Sequence, residues 1–367
     1  MKIPFINPDI NKEDIDLMVK SIESGWLAPS KYTKEFEDHL AHFLGVKDTV
    51  MLNSCTSGLH LALVMAGVTE GDEVITTPIS YVATSNSILY QKAKPVFVDV
   101  DVKTGLIDLN KIEEFITSKT KAIMPVHLYG QMVDMKKLNS IAKKHNLLII
   151  EDAAHAVESR RDGIRPGQES FSACFSFHAA KNITSGQGGA LTTNEDKFTE
   201  DARLLRRDGV INIGDKRRML KFGHKYDTSD YQAALLIGQL KRIEETKKKR
   251  QKVFDNYMKG FESNQNISFP KIEEGVDHSG HLFVVWVDPD KRDRIREELR
   301  EKGIYTSIHY EPIHLEPFYK ENFGFKEGDF PIAEKLGKST ISLPTYSRLT
   351  EDEQNYIINS LNEITKY

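Results

Sequence analysis

Cysteine is nearly absent from this 367-residue chain. Cys55 and Cys174 are the two present, too few for a disulfide framework or a Cys-rich zinc site, and they fit a reducing, cytosolic compartment. No stretch approaches the roughly 18 consecutive apolar residues of a transmembrane helix. The N-terminal MKIPFINPDINKED has no apolar core of the signal-peptide kind. A dominant charge is lacking as well: 50 basic against 54 acidic side chains leave −4, with no global field to hold nucleic acid or an anionic membrane surface. There are no repeats and no low-complexity tract, and 39% hydrophobic residues with 23 Gly and 13 Pro exclude disordered and collagen-like chains. Also missing are GxxxxGK[ST], HExxH and GxSxG, so phosphate-loop ATPases, zincins and serine hydrolases lose their usual support. Gly186-Gln-Gly188-Gly189 looks like a dinucleotide fingerprint, but its third glycine is misplaced and no acidic residue ends a following strand.

What is present is an alternation. Short β-branched runs at Val50–Asn53, Glu73–Thr77, Pro95–Val100, Ala122–Val126, Leu147–Glu151, Ala173–Phe177 and Gly189–Thr193 read as strands. Between the earlier ones, Thr56–Ala66, Val82–Gln91, Leu109–Thr117 and Met135–His145 carry helical spacing. Such alternation implies an α/β fold with a largely parallel sheet covered on both faces, whose ligands sit beyond the carboxyl ends of the strands. A long helix is expected over Ser229–Phe261. A polar linker at Asn264–His278 follows, then a small α+β unit: strand His281–Val287, helix Arg292–Lys302, strands Ile304–Ile308 and Ser339–Leu343, helix Glu351–Thr365. The domains are therefore expected as 1–264, an N-terminal segment and large domain, and 265–367, a small C-terminal domain. The basic run Lys241–Lys252, interspersed with Glu244 and Glu245, reads as a solvated helix face.

Polar residues at strand exits are the candidates for chemistry. Asp152 closes Leu147-Leu-Ile-Ile-Glu-Asp; buried there it needs a cationic or hydrogen-bonding partner, although a helix cap or a structural salt bridge would also place a carboxylate at this point. Lys181 follows Ala173-Cys-Phe-Ser-Phe-His; it is either a solvated strand end or a Schiff-base nucleophile. An unperturbed lysine is neutral about once in 2,500 at pH 7, so freeing the amine costs roughly 4.6 kcal/mol unless the site lowers its pKa. Asn53-Ser-Cys-Thr56-Ser57-Gly58, ahead of an apolar helix, offers hydroxyls and backbone N–H groups suited to a phosphate, or an ordinary N-cap. Tyr81 can lie on a flat ring or pack in the core. A phosphate cradle, an aromatic lid, a carboxylate and a lysine together match the needs of pyridoxal 5′-phosphate, with the Asp for its pyridinium nitrogen.

Over nearly its whole length the chain resembles the sugar aminotransferases of the DegT/DnrJ/StrS family. The matching stretches include Gly25-Trp-Leu, Asn53-Ser-Cys-Thr-Ser-Gly, Gly71-Asp-Glu-Val-Ile-Thr-Thr-Pro-Ile-Ser-Tyr, Pro125-Val-His-Leu-Tyr-Gly and Glu151-Asp-Ala-Ala-His. Phe175-Ser-Phe-His-Ala-Ala-Lys-Asn-Ile-Thr, Asp230-Tyr-Gln-Ala-Ala and His309-Tyr-Glu-Pro-Ile-His continue the match. The resemblance implies the fold-type I, aspartate aminotransferase-like architecture: a large domain with a mostly parallel mixed sheet plus a smaller C-terminal α+β domain. It also implies a homodimer with active sites at the subunit interface. Lys181 would then be the catalytic Schiff-base lysine and proton carrier, and Asp152 would hold the pyridine nitrogen protonated. Thr56, Ser57 and Ser176 would bind the cofactor phosphate, Tyr81 would stack on the ring, and His155 would sit near the 3-hydroxyl. His178, or a satisfied core histidine at that position, falls in the sugar-proximal part of the motif. His309, Tyr310 and His314 are candidates to face the sugar or nucleotide.

Three positions depart from the family pattern. Gly223-His-Lys225-Tyr-Asp227 stands where Gly-x-Asn-Tyr-Arg is common, at the residue that reaches the cofactor phosphate of the neighbouring subunit. A lysine can meet a phosphate as a point charge, and Lys225 resembles the enzymes that aminate UDP-linked 4-keto sugars, such as the 4-amino-arabinose branch of lipid A modification. With Asp227 in place of Arg, no donor-carboxylate contact is carried over to that position. Gln187 replaces a common Glu and keeps its hydrogen-bonding shape. The basic loop Lys216–Lys221 is either solvated or placed to meet a substrate diphosphate. The expected activity is amino transfer from an L-amino acid, glutamate first, to C4 of a nucleotide-linked keto sugar in amino-sugar or surface-polysaccharide biosynthesis. The alternatives are amination at C3, a sugar dehydratase using the same cofactor, and a non-catalytic cofactor-binding regulator.

Overall fold

A computed structural model describes residues 1–366. Two helices lead the chain, α1 (Lys12–Glu23) and α2 (Lys31–Leu44). The alternating part follows as β1 (Asp48–Leu52), α3 (Cys55–Met65), β2 (Glu73–Thr76), α4 (Ala83–Tyr90), β3 (Lys94–Phe97), β4 (Thr120–Ile123), α5 (Met135–His145) and β5 (Leu148–Asp152). Next come β6 (Arg160–Arg161), β7 (Ser172–Ser176), β8 (Gly189–Thr193), α6 (Asp196–Leu205), a hairpin of β9 (Val210–Ile213) and β10 (Lys216–Met219), α7 (Asp230–Lys241) and α8 (Ile243–Phe261). The C-terminal part holds β11 (Val276–Asp277), β12 (Phe283–Trp286), α9 (Arg292–Glu301), α10 (Pro317–Phe323), α11 (Pro331–Ser339), β13 (Thr340–Leu343) and α12 (Glu351–Ile364).

The central sheet has seven strands in the order β1-β8-β7-β5-β4-β2-β3. All its pairings are parallel except those of β8, which runs antiparallel to both β1 and β7. Apart from Lys94, Lys121 and Leu148, these strands are largely buried on both faces, as their near-continuous apolar sequences require, and α3 is apolar all round because it lies inside. A second, two-stranded sheet pairs β12 with β13. Its surroundings form a core of their own, in which Ile295, Leu299, Ile341 and Ile357 meet Tyr257 and Phe261 of α8 and Ile3 from the N-terminus.

The structure departs from the sequence expectations at several places. The helix expected over Leu109–Thr117 is a single 3-10 turn, Ile112–Phe115, because Asp108 Oδ1 is spent on Asn110 N–H in a tight turn and the β-branched Ile116 leaves in an extended conformation. The helix expected over Ser229–Phe261 breaks at Arg242, whose guanidinium donates to both carboxylate oxygens of the buried Asp14 and to the Asp9 carbonyl. Ile304–Ile308 forms no strand: Ile304 bridges Ile3 and Ser307 bridges Ser342, so the segment crosses between two edges without running along either. Finally, the basic run of α8 is not wholly solvated. Lys247 and Arg250 turn inward; Arg250 pairs with buried Glu158, and Lys247 donates to the Glu158 carbonyl and meets Asp277.

Candidate functional site

At the carboxyl edge of the central sheet lies a cavity of about 440 Å³. Each strand that ends there contributes a wall. Cys55 and Thr56 follow β1, Ser80 and Tyr81 follow β2, and Val126 follows β4. Asp152 and His155 come from β5, and Ser176, His178 and Lys181 from β7, while Gln187 and Gly188 lead into the reversed β8. His309 and Tyr310 of the C-terminal part close the cavity. Nine of the expected residues thus surround one space: Thr56, Tyr81, Asp152, His155, Ser176, His178 and Lys181 after strands of the central sheet, as the strand-exit rule requires, and His309 and Tyr310 from the C-terminal part.

The loop that carries Lys181 is closed by its own hydrogen bonds. Phe177 N–H donates to the Gly188 carbonyl (2.8 Å), Ala179 N–H to Gly186 and Ser185 N–H to Phe177. Gln239 on α7 grips both faces of Thr184, accepting from its N–H and donating to its carbonyl. Burial pushes the Lys181 ammonium down to about 8, against the pull of Cys55 and Asp152. At that value roughly one amine in ten is neutral at pH 7, about two orders of magnitude more than for a solvated lysine. No described residue hydrogen-bonds Lys181 Nζ.

Asp152 is buried, and burial raises its pKa; Thr84 and Ala154, with Lys181 and His127 further off, oppose this. Thr84 Oγ1 donates to Oδ2 at 2.7 Å and Ala154 N–H to Oδ1 at 3.2 Å. One donor per oxygen leaves each lone pair that faces the cavity unmet, which suits a cationic nitrogen. His155 receives Tyr129 N–H on Nδ1 (3.3 Å), so its remaining proton sits on Nε2 and points to Tyr310 Oη at 3.1 Å. Burial first and Lys181 second hold the ring neutral, with its pKa far below the ordinary histidine range. His309, half-buried beside Lys181, falls to about 4, desolvation first and Lys181 second.

At the N-terminus of α3, Ser54 is the N-cap, accepting from Ser57 N–H at 3.1 Å. The Ser57 hydroxyl turns away from the cavity to Asn53 Oδ1 (2.5 Å) and Ser54 Oγ (2.8 Å), so Thr56 and Ser176 supply the open hydroxyls. β8 begins hard against this loop: a Cβ on Gly189 would fall 2.3 Å from the Ser54 carbonyl carbon. Tyr81 sits at the mouth, 62% exposed, its ring 6.4 Å from that of Tyr310.

Besides Ser57, two expected residues stand apart. His314 is fully buried, bonds Glu334 at 3.0 Å and packs against Phe330, so it does not face the cavity. Lys225 is exposed and pairs with Asp227, outside the cavity, while its carbonyl accepts from Asn53 Nδ2. Other contributors carry no signal in the sequence. Thr84 supports Asp152 from a helix 68 residues upstream. Asn182, Glu158 and Arg250 form a buried polar group behind Lys181 with His281, whose place at the start of a strand gives no hint of that role. Ser54 alone has a readable cue, the preference for Ser ahead of an apolar helix. Among the described residues no cluster of side chains forms a metal site, and no helix is long and apolar enough to cross a membrane.

The buried carboxylate with open lone pairs, the unpartnered lysine and the hydroxyls at a helix N-terminus fit pyridoxal 5′-phosphate as a donor set. Comparison with known proteins agrees. Residues 8–362 match the model of the DegT/DnrJ/EryC1/StrS aminotransferase family. GDP-perosamine synthase of Caulobacter vibrioides is 35% identical over 99% of this chain and 98% of its own. UDP-4-amino-4,6-dideoxy-N-acetyl-beta-L-altrosamine transaminase of Campylobacter jejuni is 32% identical over 98% and 96%. The solved PLP form of Spr1654 from Streptococcus pneumoniae superposes with a TM-score of 0.95 at 31% identity, covering 100% of this chain and 99% of that one.

Proposed function

Because the chain belongs to the DegT/DnrJ/EryC1/StrS aminotransferase family, and is on that ground a pyridoxal-phosphate-dependent sugar aminotransferase, we propose that it moves an amino group from an L-amino acid, glutamate first, to C4 of a nucleotide-linked keto sugar. The observation that carries the reading is that Asp152, Lys181, Thr56 and Ser176 converge on one cavity. Bound there, the cofactor would supply the carbonyl that takes up the amino group and the ring that spreads the electron pair left when the donor carbon loses its proton. Lys181 Nζ would anchor it and then carry that proton; its depressed pKa makes a neutral, accepting amine available near pH 7. Asp152 would bind the ring nitrogen and regain through that cation the charge that burial discourages. Thr56 and Ser176 hydroxyls at the α3 N-terminus would hold the phosphate, Tyr81 would cover the ring, and His155 Nε2–H would donate to the 3-oxygen.

On the substrate side, His178, His309 and Tyr310 line the same cavity and are the proposed sugar contacts. The Campylobacter relative is named for a 4-amino sugar, which supports C4, as does the Phe-His-x-x-Lys-x-Ile-Thr form of the motif. The presence of Lys181 speaks against a sugar dehydratase, in which the family replaces this lysine by His. Lys225 lies outside its own cavity, and the β9–β10 hairpin leads into exposed apolar residues: Met219, Leu220 and Phe222, the last 79% exposed. Both features support a homodimer in which hairpin and Lys225 serve the partner's site. Light scattering should report a dimer, and Phe222→Asp should shift it toward monomer; a monomeric wild type would end this part of the reading.

The cofactor assignment is tested by borohydride reduction followed by peptide mapping. The reduced pyridoxyl group should appear on the Lys181 peptide, with Lys181→Ala losing the visible band; label on another lysine would overturn the assignment. The substrate is tested with glutamate and UDP-, dTDP- and GDP-linked 4-keto sugars, read by product mass and by NMR for the position of the nitrogen.

A further inference from the structure

Behind Lys181 lies a second cavity of about 40 Å³, room for one or two waters, with Ala180, Lys181, Asn182, Arg250 and His281 among its walls. Its polar wall has a fixed direction. The Glu158 carboxylate, paired with Arg250, is an acceptor, so the Asn182 amide must turn its NH₂ to Glu158 Oε2 (2.9 Å) and the Ser279 carbonyl (3.4 Å). Asn182 Oδ1 is left to accept from His281 Nδ1 at 3.0 Å. The ring proton of His281 is therefore on Nδ1, and Nε2 is a bare acceptor without a partner among the described residues. The adjacent His155, whose ring centroid is 4.5 Å away, is wired the other way, with Nδ1 accepting and Nε2–H donating. Burial, with Lys181, His309, Arg250 and His278 as the facing positive or titratable groups, keeps His281 neutral. Lys181 lines the same small cavity, and its Nζ offers donors and no acceptor.

We propose that His281 is a positioning residue that accepts a hydrogen bond from Lys181 Nζ across the small cavity whenever that amine is not covalently engaged. Asn182 and Glu158 fix the tautomer that makes His281 an acceptor. The inference rests on the assignment of Lys181 as the cofactor lysine. An uncharged acceptor suits the task, because it can hold an ammonium in place without taking its proton and without competing as a base.

Asparagine mimics the Nδ1 side of histidine and glutamine the Nε2 side, which separates the two halves of the claim. His281→Asn keeps the Asn182 contact and loses the acceptor; His281→Gln keeps the acceptor. The readout is the apparent pKa of Lys181 in the pyridoxamine-phosphate form, taken from the pH dependence of its acylation by acetic anhydride and quantified on the Lys181 peptide by mass spectrometry. A hydrogen bond to the charged form raises a pKa, so its loss lowers it. His281→Asn should lower the Lys181 pKa by about one unit, seen as about tenfold faster labelling below both values. His281→Gln should stay within about a third of a unit of wild type. Asn182→Ala, which leaves the ring in place and frees its tautomer, should shift the value in the same direction by less. Superimposed profiles for wild type and His281→Asn, equal shifts in both His281 variants, or no shift in Asn182→Ala would overturn the proposal. Labelling is read at Lys181 itself and not through turnover, so a protein that fails the sugar screen still answers it. The borohydride peptide decides the cofactor assignment separately.

Discussion

At the scale of single residues, the site divides by whether a side chain stands at a strand exit. Asp152, Lys181, Thr56 and Ser176 do, and the general placement of ligands at the carboxyl edge of a parallel sheet made them legible. Thr84 does not. It is one polar residue among several on α4, and only the folded chain brings its hydroxyl 2.7 Å from Asp152. His314 fails in the opposite sense: its neighbours in sequence face the cavity, but its own side chain is taken by Glu334. Thr84 yields a prediction. Thr84→Val removes one of the two short donors that hold a buried carboxylate, and the loss of such a charged hydrogen bond is worth about 1.5 kcal/mol. Cofactor affinity should fall roughly tenfold, measured by fluorescence titration of the cofactor-depleted protein. Unchanged affinity would mean that the Asp152 charge does not depend on this hydroxyl.

At the scale of elements, all seven central strands were readable to within three residues at each end, because strands buried on both faces are continuous apolar runs bounded by turns. Segments governed by tertiary contacts were not. The break between α7 and α8 is imposed by Asp14, more than two hundred residues away in sequence, and a local helical pattern cannot record it. Lys216–Lys221 reads in the sequence as a basic loop, and β10 of the β9–β10 hairpin forms there, because its outward-facing strands have no buried face to set an alternation. The junction between β8 and the α3 cap is tight and lies at the site. Gly189→Ala would drive a methyl group onto the backbone of Ser54 and Cys55, and a clash with backbone cannot be relieved by a rotamer change. It should cost about 2–3 kcal/mol of stability in urea unfolding. It should also weaken cofactor binding, because Thr56 is carried by the same loop. Lost stability with cofactor affinity intact would show that the loop can yield without moving Thr56.

At the scale of the whole molecule, the proposed division at residue 265 has two kinds of contact across it. One core gathers C-terminal residues around α8 and Ile3, while the other joins Leu282, Trp286 and Ile313 to side chains of the central sheet. The buried polar groups between these cores include several histidines held neutral, and they give the folded state a pH dependence that the near-balanced net charge of −4 does not suggest. His155, His278 and His281 are buried, and burial depresses all three pKa values, that of His278 to about 4. In the unfolded chain each returns to the ordinary value near 6.5. Between about 6.5 and 4 the unfolded chain therefore binds protons that the folded one refuses, and stability must fall as pH falls. Each such histidine contributes about 1.4 kcal/mol per pH unit within that window and nothing above it. Carboxylates with lowered pKa, such as Asp9 and Glu334, lose their contribution only at lower pH, and Asp152, whose pKa is raised, acts in the opposite sense. The urea midpoint should accordingly fall only slightly from pH 8 to 7, where the Lys181 ammonium held near 8 still differs from the unfolded chain, and drop steeply between pH 6 and 5, before carboxylate protonation sets in. His278→Gln should flatten that drop by about one proton's worth of slope. A midpoint that holds from pH 7 to 5 would mean that these histidines take up protons in the folded state, and the neutral, directional wiring around Lys181 would have to be abandoned with it.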